Sequence, residues 1–96
     1  MKRCVQLFAE QLDQCILLSI KRRKLDPTLA HRFRVPVSDL EMERVTVGKI
    51  SDIAAYGLHR KVKVVYSDLG KHFMFDIDLD TVVMNHRQAV AELEAA

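Results

Sequence analysis

Ninety-six residues, 49% of them hydrophobic, with a formal charge of +2, describe one small domain rather than a disordered or fibrous chain. Three Gly and two Pro leave little room for long linkers, and no run approaches the roughly 20 apolar residues that span a bilayer. The small net charge hides a polarity. Residues 1–66 hold 13 Lys/Arg against 7 Asp/Glu and residues 67–96 hold 2 against 6, so two surfaces with different partners are expected.

Lys2 and Arg3 open the chain, but Glu10 and Asp13 interrupt what would be the apolar region of a signal peptide, which predicts a cytoplasmic protein. Val5, Phe8, Leu12, Cys15, Ile16 and Ser19 recur at helical spacing, predicting an amphipathic helix over about residues 4–23. It ends in Lys21, Arg22, Arg23 and Lys24, cations that suit a helix C-terminus and could also contact phosphate. Cys4 and Cys15 would stand about 16 Å apart along that helix. They are too far apart to form a disulfide there, so reduced thiols in a reducing compartment are expected.

Asp26-Pro27 reads as a helix start, with a short helix through Phe33 turning Leu29, Ala30 and Phe33 inward. Ser38 to Glu41 spells S-x-x-E, a capping box, which predicts another helix from Ser38 to about Arg44. Thr46 can cap a fourth helix carrying Val47, Ile50, Ile53 and Ala54, with Gly57 as its stop. The period then changes to two. Val62, Val64 and Tyr66 alternate with Lys61 and Lys63, and Phe73, Phe75, Ile77 and Leu79 alternate with Met74, Asp76 and Asp78. With Ser67-Asp68-Leu69-Gly70 between them, the two runs predict a β-hairpin. Asn85 and Gln88 open a last helix.

The expected fold is therefore α+β in a single domain over 1–96. It consists of a compact head of four short helices (1–58), an antiparallel hairpin (59–84) and a C-terminal helix (85–96).

Leu29-Ala30, Phe33-x-Val35, Val37-Ser38-Asp39-Leu40 and the run TVGKISDIAAYGL followed by KVKV resemble the Xre-type, lambda-repressor-like helix-turn-helix family, which includes antitoxins of the HigA type. The resemblance covers roughly residues 12–64. It implies a dimeric transcriptional regulator or antitoxin that binds double-stranded DNA, with helix two at Pro27–Phe33 and the reading helix at Ser38–Arg44. The DNA-contacting residues it implies are Arg32, Arg34, Ser38, Arg44 and Lys49, together with Lys21, Arg22, Arg23 and Lys24.

A second reading is a non-enzymatic interaction module acting on a basic protein partner. Asp76, Asp78 and Asp80 share one strand face, and the segment 38–44 holds Asp39, Glu41 and Glu43 against Arg44 alone. The alternative for the aspartate stripe is a solvated face paired with Lys61 and Lys63 across the hairpin. The calcium-loop pattern fails because Thr81 stands where Gly is needed and Arg87 where the bidentate Glu belongs. His31, His59, His72 and His86 show no metal-site spacing, and no nucleophile elbow, P-loop or dinucleotide fingerprint occurs. No cofactor, metal or catalytic residue is expected.

Overall fold

The computed structural model describes residues 1–28 and 31–95. In chain order it contains helix α1 (Arg3–Leu25), strand β1 (Arg32–Pro36), a single 3-10 turn (Val37–Leu40), helix α2 (Val47–His59), strands β2 (Val64–Ser67) and β3 (His72–Asp76), and helix α3 (His86–Ala95). The three strands form one antiparallel sheet in the order β1-β3-β2. Among the described residues no helix is long and apolar enough to cross a membrane.

The fold is mixed α and β, but its first half is not a head of four short helices. Helix α1 alone takes 23 residues, and its Val5, Phe8, Leu12, Ile16 and Ser19 are buried as their spacing predicts. Where described, the segment expected to be helix two is not helical, and it runs into strand β1 at Arg32 and Phe33. Phe33 pairs with Phe75 and Val35 with Phe73, while Arg32 and Arg34 point to the opposite face. Leu29 and Ala30, placed inward by the sequence reading, lie outside the described residues. Asp26 does accept the backbone N–H of Thr28 at 3.0 Å and its hydroxyl at 2.7 Å, which holds its carboxyl below the usual range, but Pro27 and Thr28 form a turn.

The expected helix 38–44 is also corrected. The capping box does not form: Pro36 occupies the cap position without a side-chain bond, and Glu41 is left-handed (φ 52°), ending the turn after four residues. Glu41 reaches Arg3 on α1 at 3.4 Å instead of its own turn. Burial of both Leu40 and Met42 in the core fits this path, because a regular helix would swing one of them out of it. Pro36, lacking an N–H, is tolerated because β1 is an edge strand.

Elsewhere the local signals hold. The Thr46 hydroxyl accepts the Lys49 N–H at 3.2 Å and caps α2. The Asn85 carboxamide oxygen accepts the Arg87 N–H at 2.9 Å at the start of α3. The hairpin of β2 and β3 forms, with β1 added to the outer side of β3.

Gly57 does not stop α2. It sits inside the helix, where a Cβ would come 2.5 Å from Val64 Cγ2 and 2.9 Å from the Val62 carbonyl. Its smallness lets β2 return tightly against the helix.

The stop lies at Lys61, which is left-handed (φ 60°). The Val62 N–H donates to the Gly57 carbonyl at 2.8 Å and the Lys61 N–H to the Leu58 carbonyl at 3.0 Å, the two bonds of a Schellman motif. A side chain there costs about 1–2 kcal/mol, partly offset by the entropy a glycine would lose. Lys61→Gly is therefore expected to raise stability by about 0.5–1 kcal/mol, read as a higher urea midpoint at unchanged slope.

One core runs through both halves of the chain. Phe8 of α1 is fully buried against Phe73, Phe75 and Tyr56, at ring separations of 6.2, 5.6 and 6.3 Å. Cys4 is buried and Cys15 half-buried, and both thiols are free. Burial pushes the Cys15 thiol up to about 11, against a smaller opposing pull from Arg22. Its neutral form is thus favoured in the folded state up to that pH. At pH 8 the folded thiolate population falls about 100-fold below that of an ordinary cysteine, partly offset by the higher nucleophilicity of a more basic thiolate. Alkylation of Cys15, followed by mass spectrometry, should be at least about tenfold slower in the folded protein than in urea.

Candidate nucleic-acid interface

Strict alternation along the strands sorts the sheet into two chemically distinct faces. Phe33, Val35, Val64, Tyr66, Phe73 and Phe75 face the helices. The opposite face carries Arg32 and Arg34 from β1, Met74 and Asp76 from β3, and Val65 from β2, with Lys63 just before β2. These residues, together with Phe75, line an open depression of about 340 Å³. Register explains its layout: Arg34, Met74 and Val65 form one row across the sheet, and Arg32 and Asp76 begin the next.

The electrostatics of this face are lopsided. Arg32 Nε meets Asp76 Oδ1 at 2.9 Å, and that bond holds the guanidinium above its ordinary value. Both side chains are largely exposed, so the pair adds little to stability. Arg34 and Lys63 are exposed, and neither makes a side-chain hydrogen bond or ion pair among the described residues. Three cations against one carboxylate leave a positive rim around the apolar pair Met74 and Val65, the latter 48% exposed.

The residues singled out in the sequence divide into three groups. Arg32 and Arg34 share the sheet face, and Arg22 approaches β1 from the other side with its guanidinium 5.5 Å from the Phe33 ring. At the end of α1, Arg23 pairs with Asp80 at 3.3 Å, Lys21 is exposed, and Lys24 borders an apolar depression with Ile20, Leu79 and Met84. Ser38 is exposed on the 3-10 turn, while Arg44 and Lys49 belong to a third region, where Lys49 Nζ donates to the Arg44 carbonyl at 3.0 Å. A single groove-reading helix bearing Ser38 and Arg44 is not formed.

The aspartates expected to form one stripe are already engaged. Asp76 pairs with Arg32 and Asp80 with Arg23, while Asp78 accepts the Asp80 N–H at 3.0 Å and shapes the loop after β3. Their partners are these arginines and not Lys61 or Lys63, because β3 is the central strand and β1 lies beside Asp76. Among the described residues no group of three His, Cys, Asp or Glu side chains is placed to hold a metal ion.

The chain matches no family model, no curated protein and no solved structure.

Two sets of residues escaped the sequence reading. Met74 and Val65 join the sheet face because the register places them in the row of Arg34, and Lys63, just before β2, lies toward the row of Arg32 and Asp76. The signal was the outward parity of the hairpin, visible once β1 is known to be a strand.

The second set is a buried network that fixes the helices behind the sheet. Arg60, fully buried, donates to Asp13 Oδ1 at 2.5 Å, to the Tyr56 hydroxyl at 2.7 Å, and to the Val83 and Met84 carbonyls at 2.6 and 3.2 Å. The Tyr56 oxygen, which accepts from Arg60, also lies at hydrogen-bond distance, 2.5 Å, from His86 Nδ1. Burial holds the Tyr56 phenol above its ordinary range, against the opposing effect of the Arg60 bond. Asp13 of α1, Tyr56 of α2 and the Val83 and Met84 carbonyls ahead of α3 thus close around one guanidinium, with His86 of α3 joined through Tyr56.

Proposed function

We propose that this protein is a small nucleic-acid-binding module that engages the sugar-phosphate backbone through the outward face of its sheet. The observation that carries the reading is the convergence of Arg32, Arg34 and Lys63 on one open surface holding a single carboxylate. Guanidinium and ammonium groups on an uncovered face neutralise phosphates and release their counterions, which supplies most of the affinity of such contacts. Nucleic-acid binding was also the function implied by the helix-turn-helix resemblance. The proposal moves it from a helix inserted in a groove to a sheet laid against the backbone. A role in transcription, as regulator or antitoxin, would rest on this same contact.

Fluorescence anisotropy with a labelled oligonucleotide of about 20 nucleotides, single-stranded and as duplex, tests the reading across a salt series. Micromolar binding is expected at about 50 mM salt, with log K falling against log[salt] at a slope of about −2 to −3 for three phosphate contacts. Arg34→Gln should make that slope shallower by about 0.7–0.9. Absence of binding to both probes at about 50 mM salt overturns the proposal.

A further inference from the structure

From the apolar floor between the cations we infer that the sheet face takes single-stranded nucleic acid in preference to duplex. This rests on the proposed function above and names its ligand class. The centre of the face is not basic. Met74 and Val65 lie side by side in register on β3 and β2, with the cations at the margins: Arg32 and Arg34 on β1, Lys63 ahead of β2. From β1 to β2 the face spans two strand spacings, about 10 Å. A strip of this width can hold one line of bases flanked by phosphates.

Duplex and single strand meet such a surface differently. The outside of a duplex is a hydrated, anionic backbone with its bases stacked away, so the rim would find phosphates while the floor stayed wet. A single strand carries unstacked bases whose flat faces are the least hydrated part of the chain. Laying them on Met74 and Val65 removes apolar surface from water on both sides while the phosphates reach the rim. The Met74 thioether is polarizable and unbranched, so it can settle against an aromatic ring without choosing among bases. Arg34 lies in the same row and can both stack on a base and bond a phosphate, which Lys63 cannot. Phe75 also lines the depression but is only 3% exposed, and His72 stands at the far end of β3, so stacking is weaker than on an aromatic platform and sequence preference low.

The experiment compares a thymidine homopolymer of about 12 nucleotides with a mixed-sequence duplex of equal length, at one salt concentration. The single strand is expected to bind at least about tenfold more tightly. Met74→Ser should weaken the single strand about fivefold with its salt slope unchanged and leave the duplex unaffected, because the serine removes floor and no charge. Met74→Leu should keep wild-type affinity, and thermal melting of each variant verifies the fold. Equal or tighter duplex binding overturns the inference, as does an unchanged single-strand affinity in folded Met74→Ser. Either result leaves backbone binding itself standing. Loss of binding to both probes in the wild-type protein overturns the proposed function instead.

Discussion

Arg60→Ala is expected to lower the unfolding free energy by about 4 kcal/mol, making it one of the two most damaging single changes in the chain. The guanidinium is fully buried and gives hydrogen bonds to Asp13, Tyr56, Val83 and Met84. Truncation leaves the Val83 and Met84 carbonyls without this donor and opens a cavity where the side chain lay. Asp13→Ala should cost somewhat less, about 3 kcal/mol, and for a different reason. It strands the Arg60 charge in the interior, although that charge keeps its bonds to the backbone. Exposure alone would favour the opposite order, since the 38%-exposed Asp13 can hydrate when Arg60 is lost; the four bonds and the packing that go with the Arg60 side chain outweigh it. Because the two residues share one interaction, the double variant should lose much less than the sum of the single losses. Urea unfolding of the three variants measures all of this. At about 4–8 °C per kcal/mol, the melting temperature of Arg60→Ala should fall by at least about 15 °C. A loss below about 1 kcal/mol for either single variant would mean the network is incidental.

That network also marks where a one-dimensional reading stops. Arg60 stands in the run His59-Arg60-Lys61-Val62-Lys63, which reads as a solvated basic turn. Nothing local separates the fully buried guanidinium from the exposed lysine beside it, because the carboxylate that decides the matter is 47 residues away. Helix α1 was legible because its periodicity and its burial are the same fact. The hairpin was legible because alternation and turn chemistry coincide over a few residues.

Strand β1 carried the same alternation in Arg32-Phe33-Arg34-Val35. Two neighbouring signals, Asp26-Pro27 and the S-x-x-E pattern, argued for helix and outweighed it. Pairing with β3, some 40 residues on, reversed that preference, since Phe33 and Val35 bury against Phe75 and Phe73 only in the extended conformation. The cations followed their elements. Arg32 and Arg34 were picked out as binding residues, but as backbone contacts of a helix-turn-helix. Lys63, Val65 and Met74 could join them only once the strand order was known.

Phe8→Ala is expected to cost about 3–5 kcal/mol, because the Phe8 ring ties α1 to Phe73 and Phe75 of β3 and to Tyr56 of α2 at once. Its ring meets Phe75 and Tyr56 edge-on and Phe73 at a tilt, with no exposed surface of its own. Alanine forfeits the transfer energy of the ring and leaves a void that the paired strands cannot close without breaking register. Each lost aromatic contact adds about 0.5–1.5 kcal/mol beyond area alone. Phe8→Leu, which fills most of the volume, should cost only about 1–2 kcal/mol.

The two substitutions also separate stability from function. Phe73 and Phe75 alternate along β3 with Met74 and Asp76, so the strand that Phe8 supports from behind is the one that displays the floor of the sheet face. Folded Phe8→Leu should therefore bind single strands like the wild type. Phe8→Ala, assayed near its melting temperature, should lose binding in proportion to its unfolded fraction. If instead Phe8→Leu weakens binding while remaining fully folded by circular dichroism, the face depends on core geometry more finely than register alone accounts for.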